Sequence, residues 1–229
     1  MASGFLDGGV IKWARTAFSL TGLAVASAVL IGGGVVTGQS PTRNVGMVLE
    51  DFSQAEPDGF PKGWQASRSE ATTRQAYVIH REGEQVYLKT KGVHDQMRIK
   101  KRMVWDPKDF PIVTWRWRLR SVPQGNGMVA AVFVSLDTDL MVIPVATKYL
   151  WATSGTVGAM KEGGLFGAAE ILVRSGLQPV GQWLEERVNA YADFLKIHKH
   201  EPAPQAWGIS LVTGPGVELD FGSIGLARL

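Results

Sequence analysis

The chain contains no cysteine and only four histidines, at positions 80, 94, 198 and 200. The lack of cysteine excludes disulfide bonds, thiol catalysis and cysteine-ligated metals. No serine lies in a Gly-x-Ser-x-Gly motif, and no glycine-rich loop for phosphates or dinucleotides is present. The sequence therefore predicts a protein that is not an enzyme and holds no cofactor.

Charge is missing from one long stretch near the N-terminus. No charged residue occurs between Arg15 and Arg43, and positions 17–36 are nearly all apolar or small. About 20 such residues in a helix match a hydrocarbon core of about 30 Å. Lys12 and Arg15 precede the stretch, which places the N-terminus in the cytoplasm. We therefore expect a bacterial inner-membrane protein with a single transmembrane span.

These features divide the chain into four predicted parts. A cytoplasmic N-terminus (1–15) is followed by a transmembrane helix (16–38), a polar linker (39–46) and a periplasmic domain (47–229). A cleaved signal peptide, with cleavage before Gln39, is the competing interpretation, but the apolar stretch exceeds the usual length of about 7–15 residues. Small residues four positions apart in the span would let another helix pack closely. They are Gly22 with Ala26, and Ala28 with Gly32.

The predicted domain shows mainly a period of two in its apolar residues. Short runs rich in β-branched and aromatic residues alternate with turns such as 123–127 and 214–216. This pattern predicts a mainly β fold, an antiparallel jelly-roll-like β-sandwich. Residues 183–196 break it, with apolar residues at helical spacing, and predict one short helix. The net charge of +3 is only mildly basic and favours no nucleic-acid partner.

Two strands carry alternating cations. In the strand from Trp115 to Arg120, alternation places the tryptophans on one face and the arginines on the other. The strand around Ile99 shows the same alternation. If the two strands are neighbours, six cations form one interaction face for anionic lipids, phosphorylated glycans or an acidic protein, although pairing with acidic residues on a solvated face is the alternative. The six are Arg98, Lys100, Arg102, Arg116, Arg118 and Arg120.

Several aromatic motifs in a fixed order carry a family resemblance. The motifs are Phe60-Pro61-Lys62-Gly63-Trp64, Trp115-Arg116-Trp117, Tyr149-Leu150-Trp151, Arg174-Ser175-Gly176, and Gly181-Gln182-Trp183 followed by Glu186-Arg187-Val188 and Asp193. From about residue 48 to 229 the chain resembles a family of bacterial envelope proteins of unknown function. The resemblance implies a β-sandwich of jelly-roll or lectin-like type, and it implies no enzymatic activity.

The chain departs from that family at two loops. Relatives carry an acidic pair after the Trp-x-Trp strand and an Asp-x-Asp motif in the penultimate loop, an arrangement suited to Ca²⁺ or sugar hydroxyls. Here the two places hold Gly125-Asn126-Gly127-Met128-Val129 and Thr213-Gly214-Pro215-Gly216-Val217, without any acid. We therefore expect no bound metal and no useful affinity for simple sugars.

Two other groups were weighed as cation sites. His198 and His200 flank Lys199 in a proline-rich region, which favours a solvated turn over a zinc site. Asp137 and Asp139 flank Thr138 in a predicted hairpin turn, where aspartate is common for reasons of turn geometry alone. Neither pair is predicted to hold a metal.

Two classes of function remain open. The preferred one is a non-catalytic accessory subunit that stabilises a larger inner-membrane complex, such as a photosynthetic reaction-centre, light-harvesting or respiratory assembly, with membrane lipids as further partners. The alternative is a membrane-tethered module that binds carbohydrate or anionic lipid. In that case Trp64, Trp151, Trp183 or Trp207 would act as stacking platforms and the arginine face would bind anions.

Overall fold

The computed structural model describes residues 46–125, 127–139, 143–163 and 167–229. These ranges contain thirteen strands and two helices. The strands are β1 (Met47–Glu50), β2 (Gln65–Ala66), β3 (Tyr77–Glu82), β4 (Gln85–Thr90), β5 (Met97–Arg102), β6 (Ile112–Ser121), β7 (Met128–Asp139), β8 (Ile143–Ala152), β9 (Met160–Lys161), β10 (Ala169–Ser175), β11 (Leu184–Asn189), β12 (Gly208–Thr213) and β13 (Glu218–Ala227). The helices are α1 (Glu70–Ala76) and α2 (Ala190–His198).

The strands form two sheets. One has six strands in the order β11-β6-β13-β4-β3, with β1 also paired to β13. The other has seven strands in the order β2-β5-β12-β7-β8-β10-β9. All pairs in the two sheets are antiparallel except β8 with β10, which run parallel. The expected two-sheet, mainly β fold is therefore confirmed, with one parallel pair that the sequence analysis did not foresee.

Aromatic side chains fill the space between the sheets. Trp115 and Trp117 of β6 are buried and stack edge-on, with ring centres 5.5 Å apart. They meet Tyr149 and Trp151 of β8 at 5.7 and 5.2 Å. Alternation along β6 and β8 places these four rings on the inner faces, where they remove a large apolar area from water. The predicted inward direction of the two β6 tryptophans is confirmed.

Both helices contribute side chains to the core of the sandwich. Ala76 of α1 and Phe194 of α2 belong to the same buried cluster as the inner-face aromatics. Helix α2 begins where the Asn189 side chain accepts a hydrogen bond from the Ala192 backbone N–H at 2.9 Å. Both helices thus pack against the core and extend it.

The predicted helix over residues 183–196 is wrong in its first half. Residues 184–189 form strand β11, and only the following residues are helical. Leu184, Glu186 and Val188 alternate towards the interior, but the charge of Glu186 hides this period of two from a hydrophobicity pattern. Glu186 is accommodated because it accepts hydrogen bonds from Trp117 Nε1 at 3.0 Å and Arg174 Nε at 2.6 Å. Helix α1 was not predicted.

Two further predictions concern particular segments. Asp137 and Asp139 lie in the last residues of β7 and not in a turn, because the strand continues pairing with β8 to Asp139. In the described ranges no helix is both long and apolar enough to cross a membrane. The predicted span 16–38, with its packing residues Gly22, Ala26, Ala28 and Gly32, lies outside those ranges.

Candidate functional site

The six predicted cations do not form one face. Arg98, Lys100 and Arg102 lie on β5 in the seven-stranded sheet, whereas the three arginines of β6 lie in the six-stranded sheet. The two strands are therefore not neighbours. The condition on which the single interaction face depended is not met, and each set of cations must be considered with its own sheet.

The cations on the six-stranded sheet are largely neutralised by acids of the same surface. Arg118, predicted to be exposed, is buried, because it donates from Nε to Asp220 at 2.8 Å and from Nη2 to Glu82 at 2.9 Å. Arg118 lowers the pKa of Glu82, while burial raises the pKa of Asp220 against the opposing effect of Arg118. Arg120 is more exposed and lies 3.6 Å from Asp220.

Trp183 covers part of this same surface. Its ring lies directly on the β13 backbone, since a Cβ atom at Gly222 would approach Trp183 Cζ3 to 3.1 Å. The guanidinium carbons of Arg116 and Arg118 lie 5.0 and 4.6 Å from the Trp183 rings, and Tyr87 meets Trp183 edge-on at 5.5 Å. Aromatic and cationic groups here contact one another, so this face is closed by its own side chains.

The outer face of the seven-stranded sheet has a different form, which we call the outer groove. Its floor lies on the two central strands β7 and β12 and consists of small or buried residues. Longer side chains on β5, β8 and β10 stand on either side. The floor residues are Ala131, Phe133, Ser135, Gly208, Ser210 and Val212, and the flanking residues are Arg98, Lys100, Arg102, Lys148, Leu150 and Glu170.

Strand register supports this arrangement. Ser210 is opposite both Lys100 and Phe133, Phe133 is opposite Lys148, and Lys148 is opposite Glu170. These five side chains therefore form one cross-strand row. From β5 to β8 the row crosses three strand spacings, roughly 14 Å.

Phe133 is the aromatic residue at the centre of the groove. Its side chain belongs to a small apolar cluster with Ala131, Ala146 and Val212 that is separate from the main core. The Arg98 guanidinium carbon lies 4.1 Å from the ring centre, and Lys148 Nζ lies 6.0 Å from it. The groove thus combines an apolar ring with cations that approach it from both sides.

Some polar side chains of the groove have hydrogen-bond partners within the protein, and others have donors without a partner among the described residues. Lys148 Nζ donates to Glu170 Oε1 at 2.9 Å. Arg98 donates from Nη2 to Ser210 Oγ at 3.1 Å, while its buried Nε has no acceptor among the described residues. Burial lowers the pKa of Arg98. The groove therefore offers hydrogen-bond donors on β5 and an acceptor carboxylate on β10.

The two loops that lack acids come together at one end of the sandwich. Residues from both line a surface cavity, and no acidic side chain is among its described lining residues. A second cavity lies beside Glu50 and Lys101. The Glu50 carboxylate accepts from Trp64 Nε1 at 2.9 Å, from the Phe52 N–H at 2.8 Å and from Lys101 Nζ at 2.6 Å. Three of its roughly four acceptor positions are therefore occupied.

The structure also shows where the remaining candidate tryptophans, histidines and aspartates lie. Trp64 and Trp151 are buried and do not serve as platforms, whereas Trp183 and Trp207 are half-buried. His200 Nδ1 lies 3.9 Å from Asp137 Oδ2. No group of three or more histidine and acidic side chains in the described ranges is arranged to hold a metal ion.

Sequence reasoning missed Phe133, Ser210 and Lys148 as site residues. The available signal was the alternation along β7 and β12, where one face carries aliphatic residues and the other carries mainly small residues around a single aromatic residue, Phe133. Such a pattern on two strands indicates a sheet face with mostly short side chains. Only the register places Arg98 beside Phe133.

Residues 62–214 match the model of a family described as protein of unknown function, DUF3047. No curated protein matches. Among solved structures, the chain is similar to a family 11 carbohydrate-binding module from Clostridium thermocellum in complex with a mixed-linked tetrasaccharide (8% identity, TM-score 0.40, covering 80% of this chain and 95% of that one).

Two further solved structures illustrate the range. TmCBM27, a carbohydrate-binding module studied for mannan recognition, shows 10% identity and a TM-score of 0.39, with 79% of this chain and 95% of that one covered. An endoglucanase, cel12A from Rhodothermus marinus, shows 11% identity and a TM-score of 0.40, with 67% and 87% covered. Carbohydrate-binding modules and glycoside hydrolases both occur among these similar structures.

The comparisons contradict the preferred function. An accessory subunit of a photosynthetic or respiratory membrane complex is the wrong interpretation, because the similar structures are mostly carbohydrate-binding modules.

Proposed function

We propose that this chain, which belongs to the DUF3047 family of proteins of unknown function, is a non-catalytic carbohydrate-binding module. The observation that carries the proposal is the cross-strand row of the outer groove, in which an aromatic ring lies between hydrogen-bonding side chains. Lys100 and Ser210 lie on one side of Phe133, and Lys148 and Glu170 lie on the other.

The chemistry of the row suits a sugar chain. One face of a pyranose ring is lined by C–H groups and packs on an aromatic ring, while its hydroxyls both donate and accept hydrogen bonds. Phe133 is 9% exposed beneath Arg98 and offers an apolar surface once that side chain turns away. Lys100 offers donors and Glu170 offers an acceptor. A groove with a low floor and polar sides binds an extended ligand along its length.

The missing acids of the two loops do not bear on this groove. Gly125, Gly127 and Met128 of the first loop and Pro215 and Val217 of the second line a cavity of their own, whereas the groove is built from strand side chains. The absence of a calcium-type loop therefore leaves sugar binding on the strands possible. That no metal is bound stays a prediction.

The arrangement of carboxylates supports binding without catalysis. Glycoside hydrolysis by two carboxylates needs a pair about 5 to 9.5 Å apart across the scissile bond. Glu170 is the one carboxylate among the described residues that we assign to the groove, and Lys148 engages it at 2.9 Å. A lone paired carboxylate can orient a hydroxyl but does not form such a pair.

The location of the module is also part of the proposal. The uncharged segment beside Lys12 and Arg15 supports a single span over residues 16–38 with the module in the periplasm. A module held there would meet glycans of the bacterial envelope.

The test compares matched variants on the two outer faces. The full chain in mild detergent is titrated calorimetrically with a panel of neutral and acidic oligosaccharides. Phe133→Leu keeps an apolar side chain but removes the ring, and Trp183→Leu makes the corresponding change on the six-stranded sheet. We expect saturable binding that Phe133→Leu weakens at least tenfold and that Trp183→Leu leaves within twofold.

Two results would count against the proposal. Loss of binding in Trp183→Leu alone would assign the ligand to the other sheet. No saturable binding to any member of the panel would reject the carbohydrate-binding function. Thermal unfolding of each variant confirms that it is folded at the titration temperature.

A further inference from the structure

Arg98 is a half-buried cation that has no acidic partner among the described residues. Its guanidinium lies over the Phe133 ring at 4.1 Å and donates to the neutral Ser210 hydroxyl at 3.1 Å. Its Nε is buried without an acceptor in the described part of the chain. Removing a guanidinium from water without a counter-charge is unfavourable. The groove therefore contains a partly buried positive charge that no described carboxylate balances.

Two other arginines that lie over aromatic rings are paired with carboxylates. Arg118 also lies over aromatic rings, but Asp220 and Glu82 are within 2.9 Å of it. Arg174 lies over Trp151 and donates to Glu186 at 2.6 Å. Each of these two arginines has a carboxylate partner. Arg102, Arg116 and Arg228 lie over aromatic rings without one among the described residues, but Arg98 is the one described arginine with a buried guanidinium nitrogen that has no hydrogen-bond partner.

The charge around Arg98 has the same sign. Lys100 and Arg102 follow it on the same face of β5, and Arg102 donates to the Ala206 and Trp207 carbonyls at 2.8 and 2.6 Å. On the far side of the groove Lys148 already holds Glu170. The β5 side of the groove is therefore a line of three cations with no intramolecular ion pair among the described residues.

We propose that the ligand of the outer groove is an acidic oligosaccharide whose carboxylate binds Arg98, with Lys100 beside it. This inference rests on the proposed function and specifies its class of ligand. A carboxylate accepts hydrogen bonds from adjacent guanidinium nitrogens in the plane of the group, which suits Arg98 better than a point charge would. The partly desolvated setting strengthens the attraction relative to water.

The position of Arg98 also links charge recognition to stacking. In the free protein its guanidinium covers the Phe133 ring. When the guanidinium turns towards a ligand carboxylate, that face of the ring becomes available to the sugar. Binding of the carboxylate and stacking of the sugar on Phe133 then occur together. A neutral sugar chain has no carboxylate to turn Arg98 away from the ring, and it therefore binds less well.

The experiment uses oligouronates and their carboxyl-reduced counterparts, which keep the linkage and replace each carboxylate by a hydroxymethyl group. Tetramers of galacturonate, glucuronate and mannuronate and their reduced forms are titrated into the full chain in detergent. We expect at least one oligouronate to bind, its reduced form to bind at least tenfold more weakly, and added salt to weaken the acidic form only.

Variants assign the effect to the residue. Arg98→Gln is expected to weaken oligouronate binding by about 10- to 100-fold, the range for a lost charged hydrogen bond, and to remove the difference in affinity between the oligouronate and its reduced form. Arg116→Gln removes a half-buried arginine from the opposite outer face and should have no effect. Arg98→Leu should also lose oligouronate binding without lowering the melting temperature, which separates the loss from misfolding.

The outcomes distinguish this inference from the proposed function. Equal binding of oligouronate and reduced form, unaffected by Arg98→Gln, would overturn the acidic-ligand inference and leave a neutral carbohydrate module. No binding of either set would reject both. The last measurement uses vesicles of phosphatidylglycerol. If the chain binds these vesicles but no oligouronate, and Arg98→Gln abolishes that binding, the ligand is a lipid headgroup and the glycan proposal is overturned.

Discussion

Arg118→Ala is the substitution that most directly tests the buried charge network of the six-stranded sheet. Arg118 is 6% exposed and Asp220 is fully buried, with 2.8 Å between Arg118 Nε and Asp220 Oδ2. Glu82, on the more exposed side, accepts from Nη2 at 2.9 Å. Removal of the guanidinium therefore leaves Asp220 buried without its main counter-charge.

The magnitude follows from burial. An exposed arginine would contribute well under about 1 kcal/mol, which was the expectation from the alternating pattern of β6. Loss of one partner from a buried pair typically costs about 3–5 kcal/mol, because the remaining charge is uncompensated. Arg120→Ala is the matched control: Arg120 is more exposed, lies 3.6 Å from Asp220, and should cost less than about 1 kcal/mol.

The pH dependence gives a second readout with a definite sign. Burial raises the pKa of Asp220 and Arg118 lowers it, so the pKa rises further in Arg118→Ala. The folded variant then binds more protons than the unfolded chain above about pH 4, and its stability falls as the pH rises. The deficit of Arg118→Ala should therefore be smaller at pH 4.5 than at pH 7.

Urea unfolding followed by tryptophan fluorescence measures these differences. Arg118→Ala with Asp220→Asn should recover part of the loss, because the second change removes the unpaired charge. Equal shifts for Arg118→Ala and Arg120→Ala, or no recovery in the double variant, would refute the assignment of a buried pair.

Three other results are expected. Trp117→Ala should lower the free energy of unfolding by about 3–5 kcal/mol, measured in urea, because it empties a fully buried site. Burial and the nearby His200 lower the pKa of His198, so stability should decline as the pH falls below about 6.5, and calorimetric melting of His198→Gln should lack that decline. An alkaline carbonate wash should leave the chain in the membrane, and N-terminal sequencing that finds a released chain beginning near Gln39 would contradict the anchor.

Period-two patterning predicted most of the sheet framework. The runs around Trp115, Val132 and Leu211 became β6, β7 and β12, because alternating apolar side chains need a shared interior. The predicted turn at residues 214–216 was also recognisable: it connects β12 with β13, and Gly216 there adopts a positive φ of 68°. Local signals therefore predict where strands occur and which face of each is buried.

Pairing between distant strands was not predictable in the same way. Alternation places Arg98 and Arg118 each on an outer face, but it does not say that β5 and β6 belong to different sheets. Nor does it show that Asp220, 102 residues from Arg118 along the chain, is the acid that neutralises it. Burial of Arg118 and the place of Phe133 beside Arg98 both depend on register, which is a property of the assembled sheets.

The two outer faces differ in whether their stacked arginines are paired with carboxylates. Arg118 and Arg98 both lie against aromatic rings, at 4.6 Å from Trp183 and 4.1 Å from Phe133. Arg118 is balanced within the fold, so its position is accounted for by stability. Arg98 is not balanced within the described chain, and its burial opposes folding. The buried Arg98 Nε, which has no acceptor among the described residues, therefore supports the proposal that an anionic ligand binds in the outer groove.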